Sequence, residues 1–114
     1  MSEPILHVTS RAAWRRALRE GGYRADSLRT QGFLHASRPD QVVAVANALF
    51  RGRRDLVLLV IDPDRVRAEI RYEGVCGELY PHVYGPLNLE AVTAVLDFPP
   101  DAQGRFALPA ALTR

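Results

Sequence analysis

Leu56-Val57-Leu58-Leu59-Val60-Ile61 is the stretch on which the architecture turns. Six apolar residues in succession cannot offer one face to water, so the run predicts a central strand covered on both sides. Asp62-Pro63-Asp64 closes it as a turn, whose two acids serve local hydrogen bonds better than a cation. Downstream, residues 68–73 alternate as a strand with Ile70 and Tyr72 on one face, and 74–77 read as a loop. Residues 79–84 are extended but carry Pro81, which suggests an edge strand or a strand-like loop. Leu89 and Ala91 lead into a further strand over 92–98, broken by Pro99-Pro100. The tail 101–114 offers one more short strand at 105–108, or else a mobile end.

Upstream, residues 5–9 read as a strand, with Leu6 and Val8 on one face and Ile5, His7 and Thr9 on the other. Ser10 is a helix N-cap, and the helix runs to about Glu20 before Gly21-Gly22 stops it. Its inward face is Trp14, Ala17 and Leu18. Arg11, Arg15 and Arg19 share another face, which is either solvated or an anion-binding edge. Residues 23–31 are polar and read as irregular. A short strand at 32–36 precedes Ser37, an N-cap with Asp40 completing a capping-box analogue around Pro39. Val42, Val45, Ala46, Leu49 and Phe50 then recur at helical spacing as far as Gly52. Two early helices followed by clustered strands predict a single small α+β domain with a mixed, largely antiparallel sheet.

The chain has 114 residues, enough for one core. No apolar run approaches the roughly 20 residues that span a bilayer. The opening MSEPILHV does not read as a secretory signal. A single cysteine, Cys76, cannot form an internal disulfide, so the expected compartment is reducing, most simply the cytoplasm. The formal net charge is +2 and every basic side chain is arginine. The absence of lysine beside abundant Ala, Val and Leu reads first as coding bias. The arginines are spread along the chain, so composition permits a nucleic-acid surface while the pattern does not support one. Neither G-x-G-x-x-G nor G-x-x-x-x-G-K-[ST] is present.

The chemistry-bearing residues are the histidines. His7, His35 and His82 each fall in a short strand-like segment: ILHVT, GFLHAS and ELYPHVYGPL. If those strands are neighbours, the imidazoles converge, and imidazole is the side chain that changes charge near neutral pH. Along an extended 78–84, Glu78, Tyr80, His82 and Tyr84 share one side, opposite Leu79, Pro81 and Val83. Phenol rings there can stack on a flat ligand. In GFLHAS, Phe33, His35 and Ser37 share a face just before the second helix. Its positive end would bias His35 towards the neutral form. Each histidine read alone is more simply a hydrogen-bonded core residue; only their convergence would make a site.

These segments together resemble the bacterial domain-of-unknown-function family 952. The resemblance is carried by His7, by Tyr23…Ser27-Leu28…Gly32-Phe33-Leu34-His35-Ala36-Ser37, by LVLLVID and by GELYPHVYGPL. This chain has Gln31 where the family often has Glu, and Ala36 where it often has Cys, which removes a thiol there. The family is distantly similar to the ADP-ribosyltransferase fold, which includes RNA 2′-phosphotransferases. That similarity implies a polar residue on the first core strand (His7), another on the second (His35), and a third for which Glu78 and His82 compete. It implies NAD or an ADP-ribosyl nucleotide in a histidine-lined pocket, with His7, His35, Glu78 and His82 assisting group transfer. Tyr23, Ser37, Tyr80 and Tyr84 would contact the ligand. The alternatives are a non-catalytic nucleotide-binding module and a histidine-rich metal site, although spacings of 28 and 47 residues carry no local ligand signature.

Overall fold

The structure is a computed structural model describing residues 3–74 and 77–113. Cys76, and with it part of the loop expected at 74–77, lies outside the described residues. In chain order the elements are β1 (Ile5–Ser10), α1 (Arg11–Glu20), α2 (Asp26–Gln31), β2 (Leu34–His35), α3 (Val42–Leu49), β3 (Leu56–Ile61), β4 (Glu69–Glu73), β5 (Tyr80–Tyr84) and β6 (Val92–Asp97). Short 3-10 turns occupy Pro63–Arg65, Leu89–Ala91 and Ala110–Leu112.

β3 is the centre of a three-stranded sheet ordered β1-β3-β6, and all six of its residues are buried. Val57, Leu59 and Ile61 feed one core with Ile5, Ala17, Tyr23, Leu34 and Val83. Leu56, Leu58 and Val60 feed another with Leu6, Val42, Ala46, Phe98 and Phe106. The apolar run therefore has no solvent face because both faces are roofed: one by the second sheet with α1, the other by α3 and the tail. β1 obeys its predicted alternation, with Ile5 in the first core and Leu6 in the second.

The second sheet has the order β2-β5-β4, and every strand pairing in both sheets is antiparallel. The mixed sheet expected from sequence is thus two antiparallel ones. They meet at a seam: Leu6 and Ser37 exchange two backbone hydrogen bonds of 2.8 Å each. β5 is the middle strand, not an edge. Proline is tolerated there because its carbonyl faces β2 and accepts from Ala36 N–H at 3.0 Å. Its missing donor falls on that same side, where β2 has already ended after His35.

α1 follows the sequence reading. Ser10 Oγ accepts from Ala13 N–H, and Gly21 closes the helix with φ of 80°. Leu18, expected inward, is exposed; Trp14 and Ala17 carry the contact with the core. Residues 26–31, expected irregular, form α2. Gly32 stops it at φ 89°, donating to Ser27 and Leu28 carbonyls, and Leu28 packs on the first core. Ser37 does not cap α3, since the seam holds its backbone extended; the helix starts at Val42 with Gln41 before it. Asp40 makes no capping box and pairs with Arg38. The tail forms no strand at 105–108. Asn47 instead occupies Phe106, accepting from its N–H at 2.7 Å and donating to its carbonyl at 3.4 Å, while Phe106 stacks on Phe98.

Candidate functional site

The register of the second sheet assembles the site. His35 is the cross-strand partner of His82, and His82 of Arg71. One row thus carries two imidazoles and a guanidinium across three strands. The next row turns Leu34, Val83 and Ile70 to the opposite face, against the first core. Because side chains alternate along a strand, burying that row obliges the histidine row to face outward.

Phe33 is the hub of this outward face. Its ring stacks on His82 at 4.1 Å between centroids and 17° between planes. It also meets His35 at 4.9 Å and Tyr84 at 5.2 Å. The two imidazoles stand edge to face at 5.3 Å. The Arg71 guanidinium lies 4.5 Å over the Tyr84 ring, a cation–π contact.

His82 is oriented by a carboxylate. Its Nδ1 lies 3.0 Å from Glu73 Oε1, which also accepts from the Tyr84 hydroxyl at 2.5 Å. A carboxylate only accepts, so Nδ1 carries the proton and Nε2 keeps its lone pair. The Tyr84 and His82 hydrogen bonds hold Glu73 below the usual carboxylate range, and the same bond pushes Tyr84 up. His35 Nε2 donates to Gln31 Oε1 at 2.6 Å, leaving its Nδ1 lone pair available. Partial burial, then the neighbouring His82, lowers the His35 pKa. The neutral bias expected from a helix terminus has this other origin, since α3 begins only at Val42.

His7 stands apart. It is buried, and both ring nitrogens are engaged: Nδ1 donates to the His35 carbonyl at 2.5 Å, and Nε2 accepts from the Tyr23 hydroxyl at 2.9 Å. The Thr9 hydroxyl in turn donates to Tyr23 at 2.7 Å. Burial lowers the His7 pKa to about 4, so the ring is neutral at pH 7. Among the described residues, His7 reaches the outward face through the backbone carbonyl of His35.

The fold therefore brings His35, His82 and Tyr84 together, with Tyr80 on the same side of β5 opposite Glu73. It does not bring Glu78, which lies with Arg38 and Gln41. Ser37 is buried at the seam and Tyr23 lies beneath His7. Glu73, Arg71 and Phe33 are the members that sequence reasoning failed to assign. Alternation along 69–73 places Arg71 and Glu73 together on the side opposite Ile70 and Tyr72, which was the available signal. Among the described residues, no three His, Cys, Asp or Glu side chains gather to hold a metal ion. No described helix is long and apolar enough to cross a membrane.

Residues 8–95 match the model of a family described as protein of unknown function (DUF952). The X-ray structure of protein CC0527 from Caulobacter crescentus is similar over 92% of this chain and 94% of that one, at 32% identity and a TM-score of 0.85. An X-ray structure of a double mutant of that protein gives the same identity and coverage with a TM-score of 0.84. Its solution NMR structure gives 31% identity, 91% coverage of each chain and a TM-score of 0.79. No curated protein matches.

Proposed function

The chain belongs to the family described as protein of unknown function (DUF952), and from that premise and the site itself we propose that the outward face of the second sheet binds NAD or a related ADP-ribosyl nucleotide and assists group transfer. The observation that carries this reading is the pair of imidazoles 5.3 Å apart, one oriented by Glu73 and the other neutral. Phe33 and Tyr84 offer rings for a flat base or nicotinamide. His82 Nε2 and His35 Nδ1 are the proton acceptors for a ribose or attacking hydroxyl, a contribution of roughly 10²–10⁴-fold in such sites. Arg71 supplies positive charge at the rim. The resemblance to the ADP-ribosyltransferase fold supports the ligand class. His7 enters as a positioning residue, fixing the backbone beneath His35 rather than touching substrate.

A second reading, capture of a nucleotide without turnover, is favoured by the placement of the hydroxyls. The Ser10 hydroxyl caps α1 and Ser37 is buried at the seam, so neither supplies a nucleophile to this face.

Titrating labelled protein with NAD and following the three imidazole signals tests the site. The expected result is one saturable curve for His35 and His82, with His7 shifted less. Signals that stay still in the folded protein would sink the nucleotide reading. Release of nicotinamide, lost in His35→Ala and His82→Ala, separates turnover from capture.

A further inference from the structure

A groove of about 920 Å³ lies away from the imidazole face, between α1, α2 and the end of β1. That volume is within the range of small-molecule sites. Its walls carry five arginines, Arg16, Arg19, Arg24, Arg29 and Arg53, against two carboxylates, Glu20 and Asp26. The arginines divide into two kinds. Arg16 is turned to Glu20 at 2.9 Å, and Arg53 to Asp55 at 2.7 Å. Arg19, Arg24 and Arg29 form no ion pair among the described residues. Outside the groove, Arg11, Arg38, Arg65, Arg67 and Arg71 each sit on a carboxylate, whereas Arg15, Arg51, Arg54 and Arg105 form no ion pair among the described residues. What sets Arg19, Arg24 and Arg29 apart is that these three unpaired guanidinium groups line one concave wall.

Thr9 and Tyr23 also line the groove, beside apolar Ala17, Leu28 and Leu56. Tyr23 and Thr9 are buried, and their hydroxyls are locked in the chain that ends on His7. A concave wall that carries three unpaired guanidinium groups suits a compact, multiply charged anion. Guanidinium forks match phosphate oxygens in pairs, a geometry that an extended surface of scattered charges does not offer.

We propose that this groove is a phosphate-binding site for a small polyphosphorylated ligand, with Arg19, Arg24 and Arg29 as its anion-binding side chains. The site uses no residue of the imidazole face and does not depend on the function proposed for it. The Arg19 end of the arginine row on α1 thereby acts as an anion-binding edge, while Arg11 is drawn away to Asp97.

The test is calorimetric titration of the full chain with pyrophosphate at about 150 mM salt, where long-range attraction is screened beyond ~8 Å. Saturable one-to-one binding is expected. The double substitution Arg24→Gln, Arg29→Gln should weaken it at least ~10-fold, because each removes a charge-assisted hydrogen bond. Both side chains are exposed, so folding should be kept, as an unchanged far-ultraviolet spectrum would verify. Arg71→Gln and His35→Ala should leave pyrophosphate binding intact even if NAD binding fails. Absence of saturable heat, or equal affinity in the double variant, overturns the proposal. So does a single-stranded RNA oligomer that binds through the same arginines when pyrophosphate does not, which would assign the groove to a nucleic-acid backbone.

Discussion

His7 carries the clearest single-residue consequence. Its folded pKa is depressed to about 4, below the ordinary value of 6.5. In the unfolded chain the ring takes up a proton as pH falls through 6.5, whereas the folded protein resists until about pH 4. The stability this residue contributes is therefore complete above pH 6.5 and drains away between 6.5 and about 4, by roughly 3 kcal/mol in total. Urea denaturation at pH 7 and pH 4.5 should show the loss. His7→Phe should be less stable at pH 7, because the His35 carbonyl and Tyr23 hydroxyl lose their partner, yet flatter across that window. An equally steep profile in the variant would count against this assignment. The same residue shows what sequence can and cannot deliver. That a histidine sits on the Thr9 side of β1 follows from alternation. That it faces a carbonyl and a phenol rather than its two fellow histidines depends on the seam, which no local pattern encodes. Glu78 and Glu73 make the same point: alternation puts Glu78 on the side of His82, but cross-strand register supplies Glu73 as its carboxylate.

Elements bounded by strong local chemistry are legible, and those fixed by long-range pairing are not. Ser10 and Gly21 bracket α1 where capping rules place them. α2 escapes because six residues with one half-buried leucine give almost no periodic signal. β5 is misread as an edge because the proline rule concerns a donor, and which side lacks its partner depends on where β2 stops. The tail is fastened by one side chain: Asn47 stands in for a strand by serving both the N–H and the carbonyl of Phe106. Asn47→Ala should cost about 1–3 kcal/mol, since a half-buried backbone donor is orphaned and the Phe98–Phe106 stack loses its tether. The measurement is a urea midpoint paired with limited proteolysis. Cleavage after Arg105 should accelerate in the variant while sites near β4 are unaffected, and equal protection of both would contradict the tether.

At the scale of the whole molecule, the doubly covered strand was legible from one apolar run, and the α+β class from early helices followed by clustered strands. The division into two sheets was not, because two extra hydrogen bonds at Ser37 look locally like a helix cap. Those two bonds have a dynamic consequence. Leu6 and Ser37 donate the paired amides across the seam, while Leu59 and Ile61 on one sheet share a core with Leu34 and Val83 on the other. Parting the sheets would tear that core, so the halves should not open independently. In native-state deuterium exchange, the Leu6 and Ser37 amides should show the same opening free energy as the amides of β3, up to the global value. A lower value would reveal two foldons joined at a hinge. That pair of protons thus gauges whether the protein melts as one cooperative unit, and whether the imidazole face and the arginine groove can breathe separately.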